Sequence, residues 1–141
     1  MENDSQNQKE KDQKEAPQFN WVTERSACTL PKVFYALRQQ VEEDVRTRNS
    51  MRPKLAPYEF SVVEDINEFK VVLTAGEVRE SVIFSLADHA IAVRDDKGNS
   101  MLEITSTFSE DGKCKLYVNA APCEFWQVRR MALEGLMFRG N

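Results

Sequence analysis

Between Tyr58 and Asn119 the chain runs in short stretches of alternating apolar and polar residues, each closed by turn chemistry, and this pattern admits few architectures. Successive side chains in a strand point to opposite faces, so a sheet with one buried face shows period two. Tyr58, Phe60 and Val62 make a first apolar row and Phe69, Val71 and Leu73 a second, with Glu64-Asp65-Ile66-Asn67 between them. After Thr74-Ala75-Gly76-Glu77 comes a third row, Val78, Val82, Phe84 and Leu86, in which Glu80 stands in the apolar register and Ile83 in the polar one. Ile91 with Val93, then Leu102, Ile104 and Phe108, then Cys114, Leu116 and Val118 complete six. Gly98 and Asn99 suit the positive φ of a tight turn, and Asp111-Gly112 is a strong hairpin signal. Connections this short make neighbouring strands antiparallel, because a parallel crossover needs about a dozen residues or more. The apolar face then needs a cover.

Two helical stretches can supply it. Thr29 can cap a helix with Pro31 in its first turn that runs to about Asn49, with Val33, Phe34, Leu37, Val41 and Val45 on one face. Arg38, Glu42 and Arg46 lie on the other, with Glu42 and Arg46 in the favourable i,i+4 order. Ser50–Pro57, with prolines at 53 and 57, reads as an extended link to the first strand. Ala120-Ala121-Pro122 is expected to break the sheet and open a second helix from Cys123 to Phe138, which Gly140 can end. At about 100° per residue only Gln127, Arg130 and Glu134 fall on its polar side, so Phe125, Trp126, Val128, Ala132, Leu133, Leu136 and Met137 are expected to be largely buried. Phe19 to Arg25 fits a strand added to the sheet edge, and nearly as well a helical turn. The fold class is therefore α+β: a two-layer arrangement of six antiparallel strands in a meander, seven if Phe19–Arg25 joins, with an N-terminal and a C-terminal helix on one face.

Residues 1–18 hold almost nothing but Glu, Lys, Gln, Asn and Asp, and such a composition cannot bury enough surface to offset the entropy of ordering. This stretch is expected to be a disordered polar tail that solubilises or tethers. Residues 19–141 are long enough for one domain with a single core. The chain lacks both a signal-like apolar stretch and a run of spanning length, which argues against export and a membrane partner and for the cytoplasm. Three cysteines, an odd number without Cys-x-x-Cys spacing, agree with a reducing compartment. A net charge of −4 and a pI near 5.1 disfavour nucleic acid, whose binding draws most of its affinity from phosphate neutralisation, and Arg129-Arg130 beside Trp126 does not reverse this.

Catalytic signals are sparse. Glycine-rich phosphate loops, dinucleotide fingerprints and His-Glu-x-x-His are absent from the sequence, so no cofactor is expected and an enzymatic role is disfavoured. Glu42-Glu43-Asp44 could form a cation-binding ridge, but Arg38, Arg46 and Arg48 are interleaved with it and no metal site is expected. Cys123, at the start of the second helix, could be a reactive thiol or a small cap-region residue; Cys114 reads as core. His89 beside Asp88 could act as a base, yet a solvated turn histidine explains it as well. Arg129 is the sharper case, because it falls inside the apolar arc between Phe125 and Leu136, where an unpaired charge is costly. An acidic partner is expected, Asp44 first and Glu80 or Glu103 otherwise. The alternatives are a guanidinium that snorkels to water along its apolar stem, or one that anchors an anionic ligand.

The order helix, strands, helix is similar in outline to that of the helix-grip lipid-binding domains and of frataxin-like domains, both of which lay helices on one face of an antiparallel sheet. The resemblance implies fold alone, since one fold serves many functions. Two readings follow. The first is a non-enzymatic module that binds a protein partner or a second copy of itself, with Trp21, Met137 and Phe138 as its exposed apolar surface and a filled core. The second is a carrier of a small apolar or anionic ligand, or an unrecognised enzyme, with a helix-grip-like pocket of about a few hundred Å3 between sheet and C-terminal helix and Arg129 as anchor.

Overall fold

The computed structural model describes residues 18–139. The expected polar tail, except for Gln18, and the helix-ending Gly140 lie outside these residues. Three helices, α1 (Trp21–Ala27), α2 (Leu30–Ser50) and α3 (Phe125–Met137), accompany seven strands: β1 (Tyr58–Asp65), β2 (Glu68–Ala75), β3 (Val78–Leu86), β4 (Ile91–Asp95), β5 (Ser100–Phe108), β6 (Cys114–Val118) and β7 (Ala121–Cys123). The strands form one antiparallel sheet in the order of the chain, β1 through β7, which is the expected α+β meander.

The seventh strand comes from a different place than Phe19–Arg25. Asn20 takes the N-cap position, its side chain accepting from the Val22 and Thr23 amides at 3.1 Å each, and this starts α1 as a helix. Asn119 and Ala120 take positive φ (53° and 65°), turning the chain so that Val118 stands opposite Ala121. The segment expected to break the sheet therefore extends it. Pro122 is tolerated because β7 is the outermost strand, where an amide is dispensable.

Turn chemistry fixes the other registers. Gly98 takes the positive φ of the β4–β5 turn, while Asn99 gives its amide and side chain to the Asp95 carboxylate instead. Gly112, also at positive φ, has a second constraint: a Cβ there would come within 2.6 Å of the Phe19 ring.

The covered face carries the core. Phe69 and Phe84, directly opposite on β2 and β3, stack with ring centroids 4.6 Å apart, and Phe34 of α2 meets Phe69 at 5.1 Å. Val33, Leu37, Val41 and Val45 follow Phe34 along the buried side of α2. From α3, Val128, Ala132, Leu133 and Leu136 join the same cluster, so side chains fill the space in which a helix-grip-like pocket would lie. The odd Glu80, between the exposed Val78 and the buried Val82, is half-buried and pairs with Arg139 beyond α3.

Cys114 is not the free core thiol that its row suggests. It is bonded to Cys28, with 5.4 Å between the Cα atoms and a sequence separation of 86. In the loop-entropy picture a closure of this length stabilises the fold by up to about 4–5 kcal/mol. Thr29 occupies the N-cap of α2 but turns its hydroxyl back to the Ser26 carbonyl, so it does not cap by side chain.

The edge strand β1 is shielded by the end of α2. The Asn49 side chain donates to the Phe60 carbonyl at 2.8 Å and accepts from the Phe60 amide at 3.0 Å, as a neighbouring strand would, and Arg52 donates to the Tyr58 carbonyl. Asn49→Ala leaves two partly buried backbone groups unpaired and is expected to lower stability by about 1–3 kcal/mol in urea denaturation. Asn49→Asp keeps the acceptor for the Phe60 amide but sets a carboxylate oxygen against the Phe60 carbonyl, and is expected to cost at least as much as Asn49→Ala.

Candidate functional site

Helices α2 and α3 lie side by side on the sheet, and polar side chains rather than core residues make the outer part of their seam. Arg129 Nε donates to Asp44 Oδ2 at 2.7 Å, and Arg129 Nη1 donates to Gln40 Oε1 at 2.7 Å. Both charged side chains keep some solvent contact, so the pair is partly buried. Glu80 is engaged with Arg139, and Glu103 is exposed on β5. Two of the five Arg129 donors are thus taken by α2, which gives it the expected acidic partner Asp44, and its side chain lines the edge of the seam between the two helices.

Next to this pair, and lined in part by it, lies a groove of about 260 Å3 between the two helices. Leu133 and Met137 form its floor, and Trp126, Met51 and Phe138 its rim, at 51%, 64% and 47% exposure. Trp126 is thus not in the buried arc of α3, and neither is the exposed Met131. The reason is geometric: the sheet covers one side of α3 and α2 a second, and no element among the described residues reaches the third. The Trp126 indole N–H is fixed by Glu124 at 2.7 Å, in a capping box where Glu124 and Gln127 bond each other's backbone.

Arg48 closes the far end of the groove. Its Nε donates to the Met137 carbonyl at 2.8 Å, satisfying one of the orphan acceptors at the end of α3. Its guanidinium carbon stands 5.6, 5.3 and 5.1 Å from the ring centroids of Tyr58, Phe60 and Phe138. These acceptors are neutral, and no carboxylate among the described residues pairs with Arg48. Arg52, which donates to a carbonyl, and Lys54 add further positive charge on the loop that follows. At the other end the cations are matched, Arg129 by Asp44 and Arg130 by Glu134. The groove therefore has a neutral end and a cationic end.

The remaining candidates separate. Met137, expected both in the buried arc of its helix and on the exposed apolar surface, is 6% exposed and belongs to the core. Trp21 is exposed, but on α1 beside β6, whereas Phe138 packs on Arg48 beside β1 at the opposite edge of the sheet, so the two share no patch. His89 and Asp88 are both exposed in the β3–β4 turn. Cys123 is a free, half-buried thiol at the end of β7. Glu42, Glu43 and Asp44 do not converge, and the described residues hold no group of three or more His, Cys, Asp or Glu placed to bind a metal ion. Arg48, Met51 and Trp126 were missed because their roles depend on contacts across up to 89 residues.

A separate acidic contact joins α2 to β1. The hydrogen bond that Glu42 shares with Glu64 pushes the Glu42 carboxyl above its ordinary value of 4.5; burial and the Glu64 charge push the same way, against Arg38 and Arg46. A carboxyl raised in the folded state contributes stability below 4.5 that is lost as pH rises through the folded value. Glu64→Gln is expected to bring the Glu42 midpoint down in a carboxyl NMR titration and to flatten that loss.

For the α2–α3 seam, Asp44→Ala strands a partly buried guanidinium, whereas Arg129→Met keeps the packing. The first is expected to cost about 1–2 kcal/mol in denaturant and more than the second. Comparison with known protein families, with curated proteins and with solved structures finds no match for this chain.

Proposed function

We propose that this domain is a non-enzymatic interaction module that takes an amphipathic helix of a protein partner into the groove between α2 and α3. The observation that carries the reading is the groove itself, where a tryptophan, a methionine and a phenylalanine stand about half exposed around an apolar floor. Such side chains dominate binding energy when a partner desolvates them, and a trough between two helices accepts a third by side-chain packing. Charge supports the choice of occupant. The unmatched Arg48 at one end, with Arg52 and Lys54 on the loop that follows outside the groove lining, favours carboxylates on the partner, while the internally paired end favours neutral residues. A second copy of the chain is a weaker occupant, because like cationic ends would have to be kept apart.

No described helix is long and apolar enough to cross a membrane. Within our reading the module works in the cytoplasm, where the Cys28–Cys114 bond braces the fold only while it stays oxidised.

Native mass spectrometry of the protein taken from its own cells tests the reading. The expected result is a complex with a second, different polypeptide that Trp126→Ala and Phe138→Ala each weaken by about tenfold or more, as hot-spot truncations do. A monomer that retains a small molecule of defined mass would instead return the protein to the carrier class.

A further inference from the structure

The three cysteines, scattered through the sequence, meet at one end of the sheet. Cys28, at the end of α1, is 3% exposed and bonded to Cys114 at the start of β6. Cys123 closes β7 and stands opposite Leu116 of β6. Residues opposite each other share a face of the sheet, as do residues two apart along one strand. Cys123 and Cys114 therefore project from the same face as diagonal neighbours, and both line one open cleft of about 510 Å3. Of the bonded pair Cys28 is buried and Cys114 partly exposed, and Cys123, the free cysteine on the same face, donates its thiol to the Ala121 carbonyl at 3.6 Å.

We propose that Cys123 is the exchange partner of the Cys28–Cys114 bond and that the exchange unlatches α1. The deprotonated Cys123 thiol attacks Cys114 Sγ; the Cys114–Cys123 bond forms as Cys28–Cys114 breaks, and Cys28 leaves as a thiolate that takes up a proton from solvent. One disulfide and one thiol stand on each side of the step, so no outside oxidant or reductant is consumed. Diagonal neighbours on antiparallel strands sit about 7–8 Å apart, slightly beyond the usual disulfide span of about 4.4–6.8 Å. A Cys114–Cys123 bond thus requires β7 to shift. As a three-residue outer strand after a two-residue turn, β7 is the part of the sheet least tied to its neighbours. That requirement makes Cys28–Cys114 the resting pair.

The consequence falls on α1. This helix buries none of its residues and sits against β6. Besides the disulfide, the Ser106 hydroxyl donating to the Cys28 carbonyl at 2.8 Å and the Phe19 ring, which stacks on Phe108 with centroids 6.4 Å apart and lies against Gly112, hold this segment down. Without the covalent link one hydroxyl and one ring remain, and an exposed seven-residue helix is too short to persist on propensity. Exchange therefore frees the α1 segment and uncovers the β5–β6 end of the apolar face.

The test uses the full chain in its native, oxidised form. Incubation at about pH 8.5, where an ordinary thiol is about half ionised, is followed by acid quench, maleimide capping and mass mapping of the linked peptides. The expected result is a Cys114–Cys123 peptide pair with Cys28 capped in the same molecules, together with faster amide exchange over Trp21–Ala27. In Cys123→Ser, capping of Cys28 should fall by about tenfold or more. If the native protein keeps only Cys28–Cys114 with Cys123 capped throughout, or if Cys28 is released equally in the serine variant, the exchange proposal is overturned. If the pair switches while α1 keeps its protection, the unlatching is overturned. The wild-type map decides alone should the serine variant fail to fold.

Discussion

A seven-stranded meander has more apolar face than two helices can cover. Six inter-strand spacings at about 4.8 Å give a sheet about 29 Å across, and two packed helices at about 10 Å each cover about 20 Å of it. Helix α2 meets this shortfall by running across the sheet over β1, β3 and β5, seated on the Phe34, Phe69 and Phe84 rings, with α3 beside it over β3. Both margins are then left to smaller devices. At the β1 margin Arg48 spreads its guanidinium over Tyr58, Phe60 and Phe138, and Asn49 completes the edge hydrogen bonds. At the β6 margin the short α1 serves as a cover, and it is pinned covalently because its own burial is too small to hold it.

This division explains which parts of the molecule could be read in advance. Period-two rows and turn residues are local, and they determine the meander, the register of β1 with β2, and the buried stripe of α2 from Val33 to Val45. Placement of Arg129 among apolar neighbours on its helix is local as well, which is why a partner for it could be sought on α2 before any contact was known. The fate of Trp126 is different. Its position on the helical wheel is the same whether a neighbouring element covers that side or not, and the number of covering elements is a property of the tertiary arrangement. Met137 was misplaced by the same logic in reverse, since nearness to a helix end says nothing about the core that the end enters.

The cysteines illustrate a second limit. Sequence spacing gives no hint that Cys28 and Cys114 meet, because their proximity depends on α1 folding back over β6, and the alternation assigned Cys114 to the core row together with Leu116. The row was right and the chemistry was not: a cysteine on an apolar row at the margin of the sheet faces whatever covers that margin. The third cysteine arrives there only because Asn119 and Ala120 adopt left-handed backbone and bring the chain back alongside β6.

The two margins also differ in what they can do. Neutral hydrogen-bond acceptors and rings hold the Arg48 margin, and these keep its charge uncompensated yet fix its position, as suits a surface that must be ready before a partner arrives. A bond that can be exchanged holds the α1 margin, together with one hydroxyl and one ring contact that are individually weak. Between them lies the rigid part, the stacked phenylalanines and the branched residues of α2 and α3. Because the margins are tied to that centre through different elements, α2 and α3 at one and α1 at the other, loss of the α1 cover leaves the groove geometry intact. Thiol exchange still touches the groove, because the β7 shift it requires moves Cys123, which is next to Glu124, the N-cap whose carboxylate holds the Trp126 indole, and Cys123 and Trp126 line a common cleft.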